Sequence, residues 1–260
     1  MLTQNPSFLK YSNIIAFILM VVVNGLAGST TLIGGKLTAQ ISDANPTLIT
    51  PAGYVFSIWG IIYVLLGVFV VYQALPSKQG SDFQKRISVL FVLSSIANII
   101  WLFLWQFEYL VASIGLMFLI LASLIMIYLR LEIGKSKVLI SERLAVHLPF
   151  SVYLGWITIA TIANIAVTLV SVNWDGIGIA AQTWATLIVI VALLITLLVI
   201  ATRKDIAYAL VVIWALVGIG VKQVENPAIV TLTQMSALII AICLAVVILL
   251  AKLRGRRSGQ

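Results

Sequence analysis

Long apolar runs alternate with short polar hinges along the whole chain. Eight such runs can be drawn, at about 12–33, 54–75, 87–107, 110–131, 147–171, 177–201, 206–222 and 228–251. Most reach the ~20 residues that a helix needs to cross the hydrocarbon of a bilayer, and the seventh is the shortest. Backbone polar groups in lipid must be satisfied within the segment, so runs of this length predict helices. The expected fold is an all-α integral membrane protein, a bundle of about eight transmembrane helices. The second run has a marked entry. Asn45–Pro46 and Thr50 offer turn and cap chemistry, and Pro51 suits the first turn of a helix. Ahead of it lies the longest loop on its face, about Gly34 to Thr50, long enough to fold back as a lid or to serve as a plain connector.

Composition agrees with the pattern. The chain is 62% hydrophobic and only 9% charged, too few charges to clothe a soluble globule of 260 residues. A formal charge of +8 raises the question of nucleic acid. Placement answers it: the basic residues sit in hinges and form no continuous face, so they orient the protein and meet anionic headgroups. Lys10, the second, fourth and sixth hinges and the tail (Lys252, Arg254, Arg256 and Arg257) hold fourteen of the sixteen lysines and arginines. Only Lys36 and Lys222 lie on the other side. Eight spans with this split place both termini in the cytoplasm of a multi-pass cell-membrane protein. Lys10 followed by an apolar run could mimic a signal peptide, but the run continues through Ile33 and reads as an uncleaved first span.

The interior lacks the groups that several activities require. All eight acidic residues lie in or beside hinges, and no lysine or arginine lies mid-span. Proton pumping, ion-coupled transport and voltage sensing usually need a buried ionisable group, and a retinal Schiff base needs a mid-span lysine. No Ser/His/Asp set or carboxylate pair converges on one segment, so no catalytic residue is assigned. The single histidine, His147, and single cysteine, Cys243, have no ligating neighbours in sequence, so no metal site is expected.

What remains is neutral and aromatic. Phe56, Trp59 and Tyr63 share one face of the second span. Asn98, Trp101 and Trp105 draw a stripe on the third, and Tyr153, Trp156, Ala160 and Asn164 draw one on the fifth. Each residue also has a plain reading. Aromatics form interfacial belts, Trp105 near the outer end of its span above all, and a buried asparagine often bonds a neighbouring helix. At about 1.5 Å per residue, however, Trp59 lies about 10–12 Å below the outer end of its helix, deeper than a belt. If the second, third and fifth spans adjoin, the three stripes line one neutral, aromatic cavity suited to a flat apolar ligand.

These stretches resemble the TspO/MBR family of tryptophan-rich sensory and translocator proteins. Pro51, Phe56, Trp59, Tyr63 and Gly67 match its second-span segment. Asn98 and Trp101 match its third, and YLGWITIATIAN aligns through Tyr153, Trp156, Ala160 and Asn164 with its fifth. The resemblance covers about residues 12–171 and implies a TspO-like five-helix bundle over 1–171. It also implies a ligand site formed by these residues that accepts porphyrins, sterols or benzodiazepine-like molecules near the first long loop. The chain departs from the pattern in three ways. No tryptophan occurs in residues 34–50, Val152 stands where a proline is usual, and Leu104-Trp105 replaces a double phenylalanine. Residues 172–260 would add a three-helix extension with a basic tail, closing the pocket or forming the interface of a homodimer.

The resulting expectation is a receptor-like or sensory membrane protein that binds a flat hydrophobic ligand, such as a tetrapyrrole or sterol, with no required cofactor and no nucleic-acid partner. Transport of a small neutral or amphipathic metabolite is the competing reading. Porphyrin-degrading chemistry on a bound pigment would follow only by family analogy.

Overall fold

The computed structural model describes residues 5–257, apart from the side chains of 252 and 254–257. The basic tail used to orient the chain therefore lies outside the described side chains. The described residues are helical and turn in character with no strand, and the chain forms two compact units. The first comprises residues up to Thr47 together with Phe56–Trp174. The second comprises Leu48–Val55 and the residues from Asp175 onward.

In the first unit α1 spans Pro6–Ser29, starting and ending earlier than the apolar pattern suggests. Asn5 is the reason at the front: its side chain accepts from the N–H groups of Ser7 and Phe8, and Pro6 opens the first turn. Lys10 consequently sits inside the helix and does not precede it. A short helix α2, Thr38–Ala44, follows within the long loop. The expected helix start at Pro51 is not what forms. A 3-10 turn over Gly53–Ser57 leads into α3, Ile58–Ala74, and Pro51 and Ala52 lie outside any helix.

A short helix α4, Asp82–Ile87, is set off from α5, Leu90–Gln106, by Ser88 at φ 51°. A tight turn through Glu108 leads to α6, Leu110–Arg130. The next helix begins earlier than expected: α7, Ile140–Glu142, runs through a π turn at Arg143–His147 into α8, Leu148–Ser171. Pro149 accounts for the π turn. A proline ring inside a regular helix meets the carbonyl four residues back, and widening the preceding turn relieves that contact.

These helices pack as a closed ring, α3 beside α1, α1 beside α5, α5 beside α6, α6 beside α8 and α8 back on α3. The interior includes Met20, Ile62, Leu66, Met117 and Ile120, all at most 1% exposed. Phe69, Phe91 and Phe150 form one edge-to-face cluster there, with centroids 5.0–6.0 Å apart. Ile15, Leu19, Val64, Val71 and Ile125 point outward, as a lipid-facing surface requires.

The second unit has three mutually packed helices. They are α9, Ala181–Arg203, α10, Ile206–Lys222, and α11, Pro227–Arg257. Asp205 caps α10 through the Tyr208 N–H. Among the described residues six helical segments are long and apolar enough to cross a membrane, and α5 and α10 are shorter apolar helices.

Candidate functional site

The three aromatic stripes meet. Trp59 and Tyr63, one turn apart on α3, stack with centroids 5.7 Å apart and 19° between planes. Trp101 from α5 lies 6.3 Å from Trp59, and Tyr153 and Trp156 from α8 lie 6.2 and 6.1 Å from it. Phe56, in the 3-10 turn ahead of α3, stands edge-on to Trp156 at 6.0 Å, and Trp105 extends the cluster from Trp101 at 5.8 Å. Seven aromatic side chains thus form one network centred on Trp59. Trp101, Tyr153 and Trp156 are buried, at 5%, 0% and 2% exposure, whereas Phe56, Trp59 and Tyr63 are half-buried. Ala160 lies half-buried one turn beyond Trp156 on α8.

The two asparagines differ in what they have left to offer. Trp101 Nε1, which can only donate, gives its proton to Asn164 Oδ1 at 2.7 Å. That fixes the amide, so Asn164 Nδ2 donates to Ser113 Oγ at 2.9 Å, and the Ser113 hydroxyl donates onward to Leu110 O at 2.7 Å. Asn164 is fully engaged in tying α5, α6 and α8 together. Asn98 is held from the other side. Asn24 Nδ2 donates both to Met20 O at 2.8 Å and to Asn98 Oδ1 at 2.7 Å. The backbone carbonyl fixes the Asn24 amide, which in turn makes Asn98 Oδ1 the acceptor and leaves Asn98 Nδ2 free.

Three buried polar groups around the cluster then lack a hydrogen-bond partner among the described residues: Asn98 Nδ2, the Tyr153 hydroxyl and Trp156 Nε1. The Tyr153 hydroxyl faces the Asn98 amide without reaching full hydrogen-bond geometry. Each of the three can donate; the Tyr153 oxygen, which faces the Asn98 amide, can also accept, while Asn98 Oδ1 and Asn164 Oδ1 are occupied. A buried donor left without an acceptor costs roughly 1–3 kcal/mol, so the arrangement favours a guest that brings acceptors.

The long loop folds back on the end of α5. Trp105 Nε1 donates to Thr38 O at 3.1 Å, Gln106 Nε2 donates to Lys36 O at 3.2 Å, and Lys36 pairs with Glu108. Gly34, at φ 72°, fits so closely that an added Cβ would stand 2.3 Å from Gln106 O. Trp105 is therefore a buried residue whose N–H holds the loop, and the belt position open to it in the sequence is not the one it takes. Asn24 was the residue that spacing did not point to. Its only signal is an amide that follows the long apolar run 14–23 of α1.

The helices α1, α3, α5, α6 and α8 enclose this aromatic and amide set, and comparison with known families decides which family the chain belongs to. Residues 10–250 match the family described as TSPO-like protein. The chain belongs to that family. The match extends well past residue 171, so α9, α10 and most of α11 are part of the TSPO-like pattern, although the motifs legible in the sequence stop at the fifth span. No curated protein and no solved structure matches the chain. The family and the apolar helices make this a multi-pass membrane protein. Among the described residues no group of three or more His, Cys, Asp or Glu side chains could hold a metal ion.

Proposed function

We propose that this TSPO-like protein is a receptor-like or sensory protein of the cell membrane, with both termini cytoplasmic. It binds a flat hydrophobic ligand, tetrapyrrole- or sterol-like, among α3, α5 and α8. The observation that carries the reading is the set of three unpartnered buried groups bordering a cluster of seven aromatic rings. Rings supply stacking surface, and Asn98 Nδ2, Tyr153 Oη and Trp156 Nε1 address acceptor atoms at the ligand's edge. Trp59 sits half-buried at the centre of the cluster, open to a ligand on its exposed side.

The reading is tested with bound protoporphyrin IX and two competitors of nearly the same flat frame, 9,10-anthraquinone and anthracene. Anthraquinone, with two carbonyl acceptors, should displace the porphyrin at a concentration at least ~10-fold lower, about one good hydrogen bond's worth. The gap should narrow in Asn98→Leu. Equal displacement by both competitors in the wild type would remove the hydrogen-bonding half of the proposal.

Transport of a small neutral or amphipathic metabolite is a second reading, favoured by a separate observation in the first unit. Asn13 Nδ2 donates to Gln73 Oε1 at 2.9 Å, and Gln84 Nε2 donates to Gln73 O at 2.9 Å, while Asn13 Oδ1 and Gln73 Nε2 are buried with no hydrogen-bond partner among the described residues. Gln73 is fourteen residues beyond Trp59 on α3 and its lead, ~21 Å along a helix, with Phe69 between. Polar groups on both sides of a phenylalanine layer are what a gated path would use. Ligand-driven exchange of thiol-reagent access between cysteines at the two ends of the unit, in a Cys243→Ser background, would favour transport. Access from one face alone would oppose it.

A further inference from the structure

The segment that delivers the chain into the aromatic site is held by α10. Within the second unit, Ala52 N–H donates to Gly218 O at 3.0 Å, and Trp214 Nε1 donates to Val55 O at 3.1 Å. Tyr54 stands edge-on to the Trp214 ring at 5.3 Å and 82°. Val55, fully buried, occupies the space that a side chain at 218 would need: a Cβ there would lie 2.0 Å from Val55 Cγ2, 3.4 Å from Val55 Cβ and 3.6 Å from Pro51 Cβ. Four contacts thus fix residues 51–55 on two successive turns of one helix. The next residue is Phe56, and three further on is Trp59. Hydrogen bonds to both ends of so short a segment leave little freedom in where the 3-10 turn begins.

We propose that Trp214 and Gly218 are positioning residues for the aromatic site: by gripping residues 52–55 they set the entry of the chain into Phe56 and the placement of the Trp59 ring. The inference rests on the proposed binding role of that cluster and gives the C-terminal helices a task in it. Trp214 holds a carbonyl and a ring edge. Gly218 supplies both the acceptor for Ala52 and the missing side chain that admits Val55. The effect passes through the covalent chain from Val55 to Phe56.

The test is 19F NMR of the purified full-length protein labelled with 5-fluorotryptophan, the Trp59 resonance being assigned with Trp59→Phe. Gly218→Ala should move the Trp59 resonance by more than its linewidth. The Trp184 resonance, whose indole donates to Gly176 O at 2.9 Å, should stay in place. Val55→Ala combined with Gly218→Ala removes the 2.0 Å contact, keeps the ordinary 3.4 and 3.6 Å ones, and should return the Trp59 resonance to its wild-type position. Trp214→Phe, which keeps the ring and loses the donor, should also move it, and decides the matter alone should Gly218→Ala fail to fold. An unmoved Trp59 resonance in folded Gly218→Ala or Trp214→Phe, or a shift that the double variant retains, would overturn the proposal. In parallel, Gly218→Ala should weaken protoporphyrin IX binding ~5-fold or more and the double variant should restore it. Absence of porphyrin binding in the wild type would count against the binding role only, since the fluorine signal reports the anchor without any ligand.

Discussion

Asn98 and Asn164 carry the same side chain at comparable burial, and their hydrogen bonds assign them different work. Asn164 satisfies Trp101 and Ser113, so Asn164→Leu strands an indole N–H in the bundle and should cost roughly 1–3 kcal/mol of stability. Asn98→Leu removes one acceptor for Asn24, which retains Met20 O, and deletes a donor that makes no full hydrogen bond among the described residues. It should cost less stability than Asn164→Leu while weakening ligand binding more. Unfolding in detergent and porphyrin titration of the two variants check the crossover, and parallel losses in both measurements would contradict it. At this scale the sequence is informative about faces and silent about partners. Spacing of i, i+3 and i+7 places Trp59 with Tyr63 or Tyr153 with Trp156 because a helix has one period. Nothing in spacing tells which amide across the bundle fixes another, and Asn24 stayed hidden for that reason.

The long first loop is an element whose behaviour the sequence left open between lid and connector. Its fold-back depends on Gly34, whose backbone stands at φ 72° against Gln106 O. Gly34→Ala adds about 1 kcal/mol of backbone strain and a contact that the neighbouring backbone has to yield to. Hydrogen exchange should then quicken at amides 36–44 while α5 stays protected; unchanged exchange in the loop would show that it does not lean on that contact. Element ends are less legible in the sequence than element centres. Pro51 has the chemistry of a helix start, yet Ala52 hydrogen-bonds to Gly218 and the regular helix begins only at Ile58. A partner more than 160 residues away overrides a local signal and leaves no mark near it. Asn5–Pro6, by contrast, was an ordinary cap and first turn lying just ahead of the apolar run, outside the window that hydropathy searches. The exposed ion pairs of Arg86, with Asp82 one turn back on α4 and with Glu132 of another hinge, raise the guanidinium pKa and contribute little to stability.

For the whole molecule, eight apolar segments were legible because a bilayer demands long hydrophobic runs and punishes charge within them. The family was legible from three motifs over the first five spans, whereas the match through residue 250 was not, because α9 to α11 carry small and branched residues with no spaced aromatic signature. The proposed orientation is open to direct test. In a Cys243→Ser background, cysteine placed at Asn173 should react with a membrane-impermeant maleimide on intact cells, and cysteine at Ser136 should react only after permeabilisation. The reverse pattern would invert the protein. The binding role itself is tested most directly by titrating the detergent-purified protein with protoporphyrin IX and following tryptophan quenching, beside the Trp59→Leu/Trp156→Leu double variant. Saturable quenching at micromolar concentration or below, lost in the double variant while α-helical content is kept, is the result expected of a site built on these rings. Equal, non-saturating quenching in both proteins would mean that the porphyrin only partitions into the micelle, and would contradict the site.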